Sequence, residues 1–171
     1  KLLLCNIHES ACRHLSLDMN EPLIIITQAI PLSLDEILSL LQVVNLPSEG
    51  VTEYLPSFLV AKTYTGKIVG CVGLEQHGQL GLLRSAAVHP DYQGAKIGTR
   101  LVFSLLSEAR EKSISEVLLL TTSAQEFFAK NFGFQEAKRW RYNQRLQHSP
   151  EWNLPPCSSA VLMKLKLQRA K

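Results

Sequence analysis

The residues of this 171-residue chain best placed to do chemistry gather in one stretch, Leu82 to Arg110. An apolar run ends at Val88, and His89-Pro90-Asp91-Tyr92 makes a turn. Gln93, Gly94, Ala95, Lys96, Ile97, Gly98 and Thr99 then lead into an amphipathic helix. A loop of small residues entering a helix leaves several backbone N–H groups without partners, all aimed at one spot. The helix dipole adds partial positive charge there. The chemistry this suits is the seating of a phosphate or pyrophosphate. Arg84 stands nearby in an otherwise apolar strand, on the face of Leu82 and Ala86. It needs a partner, because an unpaired buried charge is costly. That partner is either a substrate anion held by two hydrogen bonds or a carboxylate of the chain, Glu75 or Glu53. Alternation puts Glu75 on the face shared by Val69, Cys71 and Gly73.

These residues need a frame. Leu23–Ile30 reads as a buried strand that Pro31 ends. Ser33 and Glu36 read as a capping box for a helix with Leu34, Ile37, Leu38 and Leu41 on one face. Asn45-Leu46-Pro47 stops it, and 48–57 has room for a short helix. Phe58–Tyr64 and Lys67–Gln76 form a hairpin about Thr65-Gly66, and Leu80–Val88 follows after His77-Gly78-Gln79. Short turns make these three strands antiparallel. After the loop, the helix Gly98–Lys112 crosses over to the strand Glu116–Thr121, which therefore runs parallel to Leu80–Val88 with a right-handed connection. Ser123 caps a helix to Asn131, Gly133 ends it, and Phe134 begins a strand. Residues 139–157 are irregular and rich in Arg, Trp and Pro; Ala160–Leu167 is the last strand. The pattern predicts an α/β (α+β) fold with a mixed, mostly antiparallel sheet of six or seven strands flanked by helices. Residues 1–18 show no period and read as an extension outside the domain, which would run from 19 to 171. A deletion beginning at Met19 is expected to stay soluble and active.

Composition narrows the partners. Apolar content of 46% and charged content of 19% fit a globular domain. A net charge of +3 is too mild for a nucleic-acid footprint. Lys138, Arg139, Arg141 and Arg145 read first as a solvated face. The four cysteines, Cys5, Cys12, Cys71 and Cys157, form no C-x-x-C pair and have no zinc-type spacing. No metal is therefore expected, and the pattern suits a reducing cytoplasm. No apolar run approaches the ~18 residues that span a bilayer.

The phrase VHPDYQGAKIG followed by an apolar helix resembles the acetyl-CoA-binding motif of the GCN5-related N-acetyltransferases (GNAT superfamily). That motif is Gln or Arg, two free positions, Gly, one free position, then Gly or Ala. Gln93 fills the first position and Gly98 the last, whereas Lys96 replaces the middle glycine. AQEFFAKNFGF resembles the family's second CoA-contacting helix. LPSEGVTEYLPSFLVA, GLEQHG, LLRSAAV and LLLTTSA resemble the small acetyltransferases of arsenic-resistance operons, and also the amino-acid-acetylating branch typified by N-acetylglutamate synthases. The resemblance covers Leu23 to Leu167.

It implies an acetyl-CoA co-substrate, held by Gln93 to Thr99, by the backbone of Ala86, Ala87 and Val88, and by Phe128 and Asn131. It implies direct attack of a small, anionic, amino-acid-like amine on the thioester. The Val88 N–H would stabilise the oxyanion. Glu75 would be the base, directly or through a water, since desolvation beside an apolar cleft strengthens a carboxylate as a base; the bland reading is an exposed hairpin Glu. Arg84, Ser85, Thr121 and Thr122 would face the acceptor; core packing and strand-end roles are the alternatives. Asn131 either bonds pantetheine or caps its helix. The family's Tyr acid is absent, because Phe127-Phe128 stand in its place. Tyr142 could supply a phenol only if the tail folds over the site. A homodimer is the assembly considered. The competing functions are an acyl-CoA-binding sensor without catalysis and a protein-directed acetyltransferase.

Overall fold

Residues 23–168 are described by the computed structural model; the expected 1–18 extension, with Cys5 and Cys12, lies outside them. In chain order the elements are β1 (Ile24–Gln28), α1 (Leu34–Val43), α2 (Val51–Tyr54), β2 (Phe58–Thr63), β3 (Ile68–His77), β4 (Leu80–Val88), α3 (Ile97–Glu111), β5 (Glu116–Thr121), α4 (Gln125–Phe132), β6 (Gln135–Glu136), α5 (Asn143–Leu146), α6 (Pro150–Asn153) and β7 (Val161–Lys166). They build one seven-stranded sheet in the order β1-β2-β3-β4-β5-β7-β6. Only β4 and β5 pair in parallel, as the α3 crossover demands.

Helices cover both faces. Ile97, Leu101 and Leu105 of α3 bury against Val69, Val72, Leu74 and Leu83. On the opposite face Ile37 and Leu41 of α1 pack on Val60, Ile68 and Cys71. Each such side chain contributes about 1.5–3 kcal/mol when fully buried. A third group forms where residues 139–157 fold back over the sheet. Tyr142, Leu146 and Trp152 cover Leu80, Leu82, Leu118 and Leu162.

Two bulges shape the site. In β3 the register steps from Lys62↔Ile68 to Ala61↔Gly70, so Val69 is an extra residue. This corrects the simple alternation: Val69 joins the α3 face, while Cys71 faces α1. In β4 the register steps from Gly73↔Arg84 to Cys71↔Ala87, and Ser85 takes a left-handed φ of 52°. Such bulges bend a strand and raise its twist. Beyond it β4 leaves its parallel neighbour: pairing with β5 stops at Leu83↔Leu119, although β4 runs on to Val88 and β5 to Thr121.

Two capping expectations are corrected. Ser33 does not cap α1; its Oγ accepts from the Ile30 N–H at 3.3 Å, and the Glu36 carboxylate accepts from the Ile68 N–H at 3.0 Å. Nor does Ser123 cap the next helix. Thr121 Oγ1 takes the Ser123 and Ala124 N–H groups at 3.4 and 2.9 Å.

Candidate active site

A cleft of about 550 Å3 runs from the end of β4 to the start of α3. Its walls include Ala86, Ala87 and Val88 from β4, Gln93, Gly94 and Lys96 to Thr99 from the loop and first turn of α3, and Phe127 and Phe128 from α4. Ala95 packs against the core beside it. The N–H groups of Gly94 to Thr99 find no acceptor among the described residues, and the first capping bond of the turn is Arg100 N–H to Lys96 O at 3.0 Å. These amides stand at the start of a fifteen-residue helix, an arrangement whose partial positive charge suits an anion.

Backbone direction is set by one hydrogen bond. The His89 N–H donates to Val69 O on β3 at 2.8 Å. In an antiparallel pair successive N–H groups point to opposite edges, so the Val88 N–H points into the opening beside β5. Gln93 reaches the same side, its Nε2 donating to Val88 O at 3.2 Å.

Lys96 sits at the N-cap of α3 with φ 55° and ψ 16°, in the left-handed region and not in the helix-start conformation. A non-glycine residue there costs about 1–2 kcal/mol, and a glycine gives back about 0.5–1 kcal/mol in chain entropy. Lys96→Gly is therefore expected to raise stability by up to about 1 kcal/mol, whereas Lys96→Ala is not; thermal melts compare the two.

A second pocket of about 310 Å3 adjoins the first, with Ala86, Ala124 and Phe128 lining both. Its polar walls are Asn45, Arg84, Ser85, Thr121, Thr122, Ser123, Glu151 and Cys157, and the rest are apolar, among them Leu46, Leu83, Leu119 and Ala160. Behind it lies a buried ionic cluster. Arg84 Nη1 donates to Glu75 Oε1 at 2.5 Å, Nε to Ser85 Oγ at 3.4 Å, and Nη2 to Glu49 O, with Glu151 Oε2 at 3.1 Å from the same nitrogen. Glu75 is fully buried; Ser149 Oγ donates to its Oε2 at 2.5 Å and His77 Nε2 lies 3.4 Å away. Gly50 makes room for this cluster. Its φ is 77°, and a Cβ there would stand 2.7 Å from Arg84 Nη1.

This geometry revises several roles. Arg84 has its partner inside the chain, the salt-bridge alternative, and each of its three nitrogens is already engaged. Glu75 is enclosed by Arg84, Ser149 and His77 and has no exposed surface, which overturns the exposed-hairpin alternative. Asn131 is exposed and turns back on its own helix, Nδ2 to Phe127 O at 2.8 Å, away from the cleft walls. Tyr142 does fold back, but its hydroxyl donates to Glu116 Oε1 at 3.1 Å, at the end of β5 opposite Thr121. Burial pushes the Cys71 thiol up to about 12 and the Cys157 thiol up to about 11, which leaves neither a ready nucleophile.

Glu151 was missed by the sequence reading. It lies in α6, in the irregular tail, and the Ser149 N-cap, accepting from the Trp152 N–H at 3.1 Å, is the local signal that could have found the helix. Desolvation holds the Glu151 carboxyl above its ordinary value of 4.5, against the pull of Arg84. The folded chain therefore keeps a proton there at pH values where the unfolded chain has lost it. The group's contribution to stability is full below about 4.5 and is lost as pH rises through the folded value. The difference in melting temperature between the wild type and Glu151→Gln should thus shift against the wild type with rising pH.

With this geometry in view, comparison with known proteins is direct. The profile of the Acetyltransferase (GNAT) family matches residues 34–134, and the chain belongs to that family. It is 42% identical over 72 residues to an amino-acid acetyltransferase of Mycobacterium tuberculosis, a match covering 42% of this chain and 40% of that protein. N-acetylglutamate synthase of Neisseria gonorrhoeae, solved with coenzyme A and L-arginine, superposes with a TM-score of 0.69 at 24% identity, over 87% of this chain and 34% of that one. A Mycobacterium tuberculosis protein solved with CoA gives a TM-score of 0.69 at 24% identity, over 84% of this chain and 99% of that one. The chain thus spans about two fifths of its curated relative and one third of the synthase. Among the described residues no helix is long and apolar enough to cross a membrane.

Proposed function

We propose that the chain transfers an acetyl group from acetyl-CoA to the amine of a small amino-acid-like acceptor, by direct attack without an acyl-enzyme. The observation that carries this is the meeting of two pockets at Ala86, Ala124 and Phe128, one ending at the free amides of Gly94 to Thr99, the other of mixed lining with the side chains of Asn45, Thr122, Ser123 and Glu151 among its walls. The first suits the pyrophosphate and pantetheine of acetyl-CoA, with Phe128 as an apolar wall. The second suits the acceptor, and its modest size under a folded-back tail favours a small molecule over a protein segment. The two amino-acid-acetylating relatives support an amino acid or an analogue of one. The arsenic-operon likeness adds such analogues to the candidates. Because Arg84 is already engaged, a carboxylate on the acceptor falls to neutral donors such as Asn45, Thr122 and Ser123.

In this reading the amine nitrogen bonds to the thioester carbon, the Val88 N–H stabilises the oxyanion, and the C–S bond breaks. With Phe128 in place of a phenol, the thiolate takes its proton through solvent. Glu75 serves as a positioning residue that fixes Arg84. The test is release of free thiol from acetyl-CoA across a panel of amino acids, their analogues and simple amines. Turnover confined to such acceptors supports the proposal. Acetyl-CoA binding with no turnover on any amine favours instead the sensor reading, to which the Lys96 substitution points.

A further inference from the structure

The cluster behind the second pocket sets one guanidinium, Arg84, against two carboxyl groups, Glu75 and Glu151, both within 3.1 Å of its nitrogens. The two carboxylates are not equivalent. Glu75 is sealed, with no exposed side-chain surface and its oxygens held by Arg84 and Ser149. Glu151 keeps 10% of its side chain exposed and lines the pocket. Its Oε2 meets Arg84, while its Oε1 has only the weak Cys157 thiol as a donor, at 3.7 Å. One carboxylate oxygen is thus poorly satisfied, in an apolar setting, at the wall of the pocket.

A carboxyl oxygen at a pocket wall with only a thiol for a donor can take a stronger donor, such as an ammonium, from the pocket. We infer that Glu151 contacts the acceptor's ammonium group and takes its proton. The inference rests on the acetyl-transfer reading above. The ammonium gives one proton to Glu151, which passes it to solvent after turnover. The freed lone pair forms the C–N bond, the C–S bond breaks, and the second N–H proton reaches the departing thiolate through solvent. The charged and titratable groups that face Glu151 are Arg84 from β4, Glu75 from β3, Glu49 from the loop before α2, and Cys157, which itself lies beside Arg139. Arg84 steadies the ionised form, and burial opposes it, which suits a group that must alternate between the two.

The test uses the full chain and two readouts. Glu151→Gln is expected to lower kcat/KM by about 10²–10⁴-fold and to abolish the acid limb of its pH profile, with Glu151→Asp restoring part of both. Calorimetric titration of a primary amine into the CoA-loaded protein should show binding at least about tenfold weaker for Glu151→Gln, while acetyl-CoA affinity is unchanged. Equal amine binding in wild type and Glu151→Gln, or an intact acid limb in the variant, overturns the inference. Glu151-dependent amine binding without turnover in the wild type would instead sink the acetyl-transfer reading and leave the ammonium contact standing.

Discussion

Arg84→Met should lower the free energy of unfolding by about 3–5 kcal/mol, the cost of breaking a buried ion pair from one side. The substitution leaves Glu75 fully buried beside an apolar side chain, removes the donor to Glu49 O, and frees Glu151 from its partner. The penalty comes from stranded acceptors more than from lost attraction. It should therefore shrink when the carboxylate goes too. The double variant Arg84→Met/Glu75→Leu should recover much of the loss, because apolar replacement of a whole buried pair is often close to neutral. Urea unfolding of the four members of the cycle measures this coupling. Arg84→Lys should recover little, since one ammonium cannot reproduce a fork that serves Glu75, Glu49 O and Ser85 together. Additive single effects in the cycle would show that the cluster is not the unit described.

Val88→Pro should lower kcat by about 10²–10³-fold while leaving acetyl-CoA affinity near the wild-type value, as removal of one oxyanion donor does. Proline removes the N–H and exchanges the isopropyl group for a ring that fixes φ; at position 88 the N–H points into the opening between β4 and β5, and the bond back to β3 belongs to His89. Extended backbone at Ala87, within β4, suits a following proline. A single-turnover measurement separates chemistry from product release. A variant that keeps the full rate would remove Val88 from the oxyanion role.

Much of this fold was readable because its elements obey local rules. β4 and β5 are bounded as expected, since Leu80–Val88 and Glu116–Thr121 are apolar runs between clear turn signals. The α3 crossover dictated their parallel pairing. The bulges were not readable: nothing in Val69 or Ser85 announces an extra residue, and a bulge is a property of two strands together. The capping box failed for a similar reason. Ser33 and Glu36 have the right spacing, but the Glu36 carboxylate is drawn to the Ile68 N–H, 32 residues away. The phosphate seat was legible because it depends on contiguous residues from Gln93 to Thr99. Its one irregular member, Lys96, stood out against the motif before its backbone was known. The acceptor side depends on residues brought from β3, β4, the loop before α2 and the tail. Arg84 could be seen to need a partner, and Glu75 was one of two named, but Glu49 O, Ser149 and Glu151 belong to segments whose placement no local pattern sets.

The folded-back tail has a consequence for how such a protein can change. The family match ends at residue 134, and every wall of the first cleft lies before that point. Glu151, Cys157 and Ala160, which close the second pocket, come after it. The second pocket thus shares the family segment with the first but adds walls from the tail, and the two meet at Ala86, Ala124 and Phe128. In the proposed reaction, substitutions at the tail positions Glu151, Cys157 and Ala160 would alter the acceptor's surroundings while leaving every wall of the first cleft in place. Exchange of this segment between relatives is a route by which one transfer reaction could acquire new recipients.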